Sequence, residues 1–195
     1  MSDDRKGWLE QIATRTTNPD KIYVGIDPGK NGGIAIIDGD TLTTYPTPLV
    51  GDEISGWAVR DILTGQREGA KLSLAIEKVG AMPGQGVTSM FSFGFNTGLV
   101  TGIAQALAIP YITVRPQEWQ KIAFFGIPVQ FKAAKSAAKS GKIERAKQDP
   151  KAMAAIAAKR LFPSASFLAT ERSKVPHDGM IDAALIAYWL KLSGR

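Results

Sequence analysis

Four carboxylates stand out by where they sit. Asp27 closes an alternating apolar run (Ile22, Val24, Ile26), and the breakers Pro28-Gly29 follow at once. Glu77 closes a second run, Leu72-Ser-Leu-Ala-Ile76, and a glycine-rich stretch, Lys78 to Gly86, follows it. Asp178 and Asp182 are four residues apart, so a helix through them presents both on one face. An acid ending a buried run needs an explanation, because an unpaired buried charge is costly. A cation, a hydrogen-bonding turn or exposure at the strand end would each supply one. Asp178 alone reads equally well as a first-turn acid favoured by the helix dipole. Asp182, a turn further in among Met180, Ile181 and Ala183, does not.

Brought together, such acids repel one another by about 4 kcal/mol per pair at about 4 Å and an effective dielectric near 20. Hard divalent cations supply the counter-charge, and an all-oxygen donor set favours Mg²⁺ or Mn²⁺ over zinc. Two such ions about 3.5–4 Å apart would activate a water and stabilise the leaving oxygen in phosphodiester hydrolysis. His177, the only histidine, adjoins Asp178. It either orients or deprotonates the attacking water, or merely caps the helix.

The elements that must position these residues follow from the pattern. Strand 1 ends at Asp27, strand 2 runs from about Gly33 to Asp38, and strand 3 from Thr41 to Tyr45, with Asp38-Gly39-Asp40 as a hairpin turn. Gly51 to Gly69 reads as a helix, with Ile54, Trp57, Ala58, Asp61 and Ile62 at helical spacing. Leu72–Ile76 is a fourth strand, Val87 to Ala108 a long helix, and Tyr111 to Val114 a fifth strand. A right-handed crossover sets strand 4 parallel to strand 1, which brings Asp27 and Glu77 to one edge of the sheet. The expected fold is α/β: a five-stranded mixed sheet, three antiparallel strands then two parallel, flanked by helices. Further helices are expected from Arg115 to Lys121, Lys151 to Leu161 and His177 to Leu192. Residues 1–20 read as an N-terminal arm, and 21–195 as a single domain.

With no cysteine, disulfides and thiolate metal sites are excluded. No stretch reads as a signal peptide or membrane helix, and a cytosolic location is expected. Net charge is +6, unevenly spread. Gln130 to Val175 holds eleven Lys/Arg against three Asp/Glu, a local +8 that leaves 6 − 8 = −2 for the remainder. A basic segment on a near-neutral body points to a polyanion such as nucleic acid, or else to a solvated lysine-rich helix. Within the basic segment 130–148, Lys132, Lys135, Lys139 and Lys142 would form one stripe on a helix, with Arg145 beyond.

These motifs resemble those of RuvC-type Holliday junction resolvases, within the ribonuclease H-like superfamily, and most of all the phage-encoded branch. Ile26-Asp-Pro-Gly29 is similar to the first-strand motif and Ala75-Ile-Glu77 to the second. Met82 to Val87 and the phenylalanine-rich Ser89–Phe95 resemble the loop and helix that follow, and HDGMIDAALIAYW the C-terminal acidic helix. The resemblance implies a homodimeric, Mg²⁺-dependent endonuclease (Mn²⁺ substituting) that cuts four-way DNA junctions by paired symmetric hydrolysis. It implies 5′-phosphate and 3′-hydroxyl ends, with Asp27, Glu77, Asp178 and Asp182 holding two ions. The bacterial enzymes place their last two functional residues three apart; here the acids are four apart, with Gly179 between them.

DNA contacts are expected from Lys78, Met82 and Gln85 in the loop, from Phe91 or Phe93 as base-stacking wedges, and from Arg115, Lys121 and the lysine stripe. Phenylalanines on a helix are more often core. Gly94, Gly98 and Gly102 make one very small helix face, suited to a second subunit or to close packing on the protein's own sheet. Rival readings are a ribonuclease H-like nuclease or integrase acting on an RNA–DNA hybrid or other branched DNA, a sugar-kinase or actin-like ATPase, and a non-catalytic DNA-binding protein. An ATPase needs a second nucleotide-binding half, for which 195 residues leave little room. A mere binder gains nothing from four acids facing phosphates.

Overall fold

Alternation along β1 (Lys21–Asp27) decides the architecture. Ile22, Val24 and Ile26 face one side of the sheet, and Tyr23, Gly25 and Asp27 the other. In the computed structural model, which describes residues 20–78, 80, 86–132 and 147–194, β1 is the central strand of five. It pairs antiparallel with β2 (Gly33–Asp38), which pairs antiparallel with β3 (Thr41–Pro46). On its other side β1 runs parallel to β6 (Lys71–Glu77), and β6 parallel to β7 (Tyr111–Val114). The order β3-β2-β1-β6-β7 is the expected mixed sheet.

The stretch after β3 departs from expectation. Leu49–Val50 and Glu53–Ile54 pair as a small hairpin, β4 and β5, before helix α1 (Gly56–Thr64) begins. Gly51 takes a positive φ at the turn between them, which a continuous helix would not allow. The buried face of α1 is Val59 and Leu63, while Trp57, expected on that face, is 62% exposed. Helix α1 starts at the Ser55 cap, whose Oγ accepts from Ala58 N–H, and Ile54 lies before it in β5.

Helices cover both faces. Against Ile22, Val24, Ile26, Leu74 and Ile76 pack α1 and α2 (Val87–Ala106). Against Tyr23, Ala35, Ile37, Ala75 and Val114 pack α3 (Pro116–Ala123), α4 (Pro150–Leu161) and α5 (Asp178–Ser193). Helix α5 is the centre of that second core and lies directly on β1 and β2. A Cβ at Gly25 would collide with the backbone of Ala183 and Ala187, so glycine is what lets the helix sit so low. Among the described residues no helix is long and apolar enough to cross a membrane. Residues 1–19 of the arm, Met82, Gln85, Lys135, Lys139, Lys142 and Arg145 lie outside the described residues.

Candidate active site

Parity and register bring the strand acids together. Ile26 is paired with Ile76, so Asp27 and Glu77 end neighbouring parallel strands. Both continue the side-chain series that faces α5, Tyr23-Gly25-Asp27 on one strand and Ser73-Ala75-Glu77 on the next. Helix α5 enters from that side. Its first turn lies against the β1–β2 turn, where a Cβ at Gly179 would strike Asn31 O and the Gly32 backbone, and one at Gly33 the Gly179 backbone. Glycine between the two helix acids is therefore a packing requirement, and it sets how α5 is aimed at Asp27.

The environment of each acid differs. Asp27 Oδ1 accepts from Gly29 N–H at 3.2 Å, and the turn is braced by Gly32 N–H to Gly29 O (2.9 Å) and Thr47 Oγ1 to Gly29 O (2.8 Å). Burial pushes the Asp27 carboxyl up, against the Gly29 N–H and the nearby His177, which favour its charge. Glu77 is only 8% exposed and accepts the indole N–H of Trp119 at 2.9 Å. Burial still raises it to about 7, with Asp27 adding to the rise. Asp182 also reaches about 7, first through burial and then through Glu77, Asp27 and Asp178 in turn. These three carboxyls therefore share one partly buried place, and each opposes the ionisation of the others.

Asp178 belongs to the rim. It is 53% exposed and pairs with Lys151 Nζ at 2.6 Å. That contact raises the lysine's pKa, and the charges of Asp182 and Asp149 push it the same way more weakly. His177 is the helix cap: its Nδ1 accepts from Met180 N–H at 3.3 Å. With Nδ1 engaged in this way, Nε2 is the ring nitrogen left free of the cap.

As placed, no three of the Asp, Glu and His side chains among the described residues form a group ready to hold a metal ion. Glu77 Oε1 is engaged by Trp119 and Asp178 Oδ2 by Lys151. The donor chemistry nevertheless fits a hard divalent cation. Asp27, Glu77 and Asp182 offer oxygen alone, and a shared cation is what would let all three ionise together.

The expected DNA-contacting residues divide by place. Lys78 and Arg115 follow the paired ends Glu77 and Val114, so both sit on the acid edge. Lys121 is exposed on α3, and Lys132 N–H bonds Lys147 O, so the described ends of the basic segment meet. Phe93 lines a cleft with Asp27. Phe91 is 74% exposed and stacks on Phe95 with ring centroids 6.5 Å apart, so neither is core. Among the described residues a Cβ at Gly94, Gly98 or Gly102 would meet nothing within 4 Å, so this face does not pack on the protein's own sheet.

Trp119, Lys151 and Asn96 were not expected. A buried tryptophan needs a partner for its N–H, and that requirement could have flagged Trp119. Asn96 falls at four-residue steps with Val100 and Ala104, an amide on an otherwise apolar face. Nothing in the sequence around Lys151 announces its pairing.

The strand order, the parallel β1–β6 pair and the covering helices define a ribonuclease H-like fold. Among solved structures the chain is similar to RuvC of Thermus thermophilus in complex with a Holliday junction substrate, at TM-score 0.53 and 14% identity over 88% of this chain and 93% of that one. A second Thermus thermophilus RuvC structure gives TM-score 0.48 and 16% identity over 89% and 96%. No protein-family model and no curated protein matches the sequence.

Proposed function

We propose that the protein is a metal-dependent endonuclease that resolves four-way DNA junctions. The carrying observation is the convergence of Asp27, Glu77 and Asp182 at the ends of the central parallel strands, each carboxyl raised by burial. Asp27, Glu77 and Asp182 would hold the ions, with Asp178 at the rim. When bound, Mg²⁺ or Mn²⁺ supplies the positive charge that activates water and offsets the charge developing on the phosphodiester.

The chain's own residues do the positioning. Trp119 fixes Oε1 of Glu77 and leaves Oε2 free of that contact. Gly29 N–H fixes Asp27. His177 would offer its free Nε2 to the substrate, and Lys151 offsets the charge of Asp178. Lys78 and Arg115 on the same edge would track the phosphates of the arms. The open glycine face of α2, with exposed Phe91 and Phe95 beside it, supports a homodimer, which two symmetric cuts require.

The test sets synthetic four-way junctions, Y-forks, plain duplex and RNA–DNA hybrid side by side with Mg²⁺ and Mn²⁺. Junctions are expected to be cut at symmetric positions. Asp27→Asn, Glu77→Gln and Asp182→Asn should each lower cutting by more than about a thousandfold, the scale of losing one group from a preorganised charge-stabilising site, while junction binding survives. Hybrid cut faster than junction would move the substrate to the rival reading. Full activity in any of the three variants would remove that acid from the site.

A further inference from the structure

A cleft of about 410 Å³ opens between the β1–β2 turn and α2. Asp27 and Lys30 line one wall, and Ser89, Ser92, Phe93 and Asn96 the other. Its size is that of a small-molecule site. Asn96 is the unusual member. It is 5% exposed, on the face that carries the core residues Val100 and Ala104, yet among the described residues its amide makes no hydrogen bond. Its polar atoms are not sealed in: among the described residues the fully buried side-chain atom without a partner is Thr97 Oγ1, so the Asn96 amide opens to the cleft, where a ligand can pair with it.

Resting on the nuclease reading above, we infer that this cleft takes one unpaired nucleobase of the strand being cut, and that Asn96 reads it. An amide carries a donor and an acceptor side by side, the complement of a base edge, and adenine N6/N7 is the edge it matches most directly. The Phe93 ring offers a stacking surface, and the two serine hydroxyls can each donate or accept. Lys30 stands half-exposed at the mouth, its 3.9 Å contact with fully exposed Asp52 being too long to hold it, so it can meet the nucleotide's phosphate. Because Asp27 is part of the wall, the base in the cleft belongs to a nucleotide next to the phosphate under attack. A base still stacked in duplex cannot enter between helix and turn, so the cleft selects strand ends and branch points.

Two measurements test this. In the first, four-way junctions randomised at the positions flanking the exchange point are cut by the wild type and by Asn96→Ala. The wild type should prefer one base at one position, and the variant should lose about tenfold of that preference, the scale of one bidentate base contact. Ser92→Ala, at a half-buried position on the same wall, should weaken the preference less and serves if Asn96→Ala does not fold. In the second, the ¹⁵N side-chain amide signal of Asn96, assigned by its loss in Asn96→Asp, is followed while each of the four deoxynucleoside monophosphates and inorganic phosphate is added. One nucleotide should move the signal more than the others, and phosphate alone should not move it. Where junctions are cut, equal preference in wild type and variants overturns the inference and leaves the nuclease reading standing. Where no junction is cut, the nuclease reading fails and the titration decides: an unmoved amide overturns the cleft, and a base-selective shift supports it.

Discussion

Helices α5 and α2 both cross the sheet, and both combine apolar side chains with a scatter of glycine, alanine, serine and threonine. Ten of the sixteen residues of α5 are buried, against three of twenty in α2. In α5 and beneath it, glycine marks contact: Gly25 and Gly179 have backbone where a Cβ would go. In α2 it marks open space, since among the described residues Gly94, Gly98 and Gly102 meet nothing. One helix is clamped to the strands and carries two acids to a third and fourth. The other turns a small-residue face outward beside exposed Phe91 and Phe95. The same residue type thus serves rigid placement on one side of the sheet and an available surface on the other.

The sharpest way to break that contrast is a matched pair of methyl groups. Gly25→Ala puts a Cβ into the Ala183 and Ala187 backbone, which cannot yield as a side chain can. It should cost more than about 3 kcal/mol, lowering the melting temperature by roughly 10 °C. Gly98→Ala should instead leave the fold unharmed. Equal melting of the two variants would mean that α5 is not clamped as described.

The acids that α5 delivers give the next effect. Held at about 7 instead of an ordinary 3.8, Asp182 costs the fold on the order of 4 kcal/mol once it ionises. Glu77, at about 7 from 4.5, acts in the same direction. Between those values the folded state keeps protons that the unfolded chain releases, so stability falls as pH rises through about 4 to 7 and levels above it. Without divalent ions, Asp182→Asn should therefore melt higher than wild type at pH 8, and the gap should close by pH 4. Mg²⁺ should raise the wild-type melting temperature more at pH 8 than at pH 5. A gap that does not change with pH would show that Asp182 is not strained in the fold.

Removing the Trp119 donor is a smaller change. In Trp119→Phe the Glu77 carboxylate loses its one observed hydrogen bond, worth about 1.5–3 kcal/mol when the acid is charged and less when it is neutral. Glu77 should titrate higher still, and the rising limb of any cleavage–pH profile should move to higher pH. An unmoved limb would make the tryptophan a packing residue only.

How far the sequence could be read follows from how local each cause is. Alternation in β1 and the parallel crossover are local and strong, so the five-stranded sheet, and with it Asp27 beside Glu77, was legible. The 51–69 segment was not, because the Gly51 turn and the Ser55 cap outweigh an apparent helical period. In the site, the aim of Asp178 depends on Gly179 meeting a turn about 150 residues earlier, and no spacing rule carries that. Trp119 and Lys151 reach their acids from other elements, across 42 and 27 residues. Such pairings exist only once the layers are stacked. The glycine stripe was visible but ambiguous, since a small side chain says that something approaches closely, or that nothing does.

That ambiguity can be settled by one substitution. A glycine in the middle of an exposed helix costs about 0.8–1 kcal/mol relative to a good helix former, so Gly98→Leu in a monomer with no partner should stabilise the protein by about that much. If a second copy packs on this face, the leucine holds the helices apart and the dimer dissociates while each subunit gains the helical propensity. Light scattering and melting over a range of protein concentrations separate the cases. The expected result is loss of the dimer mass, a melting temperature that no longer rises with concentration, and junction cutting reduced from paired to single nicks. A variant that remains a dimer, or a wild type already monomeric at high concentration, would leave the open face of α2 without a second copy to cover it.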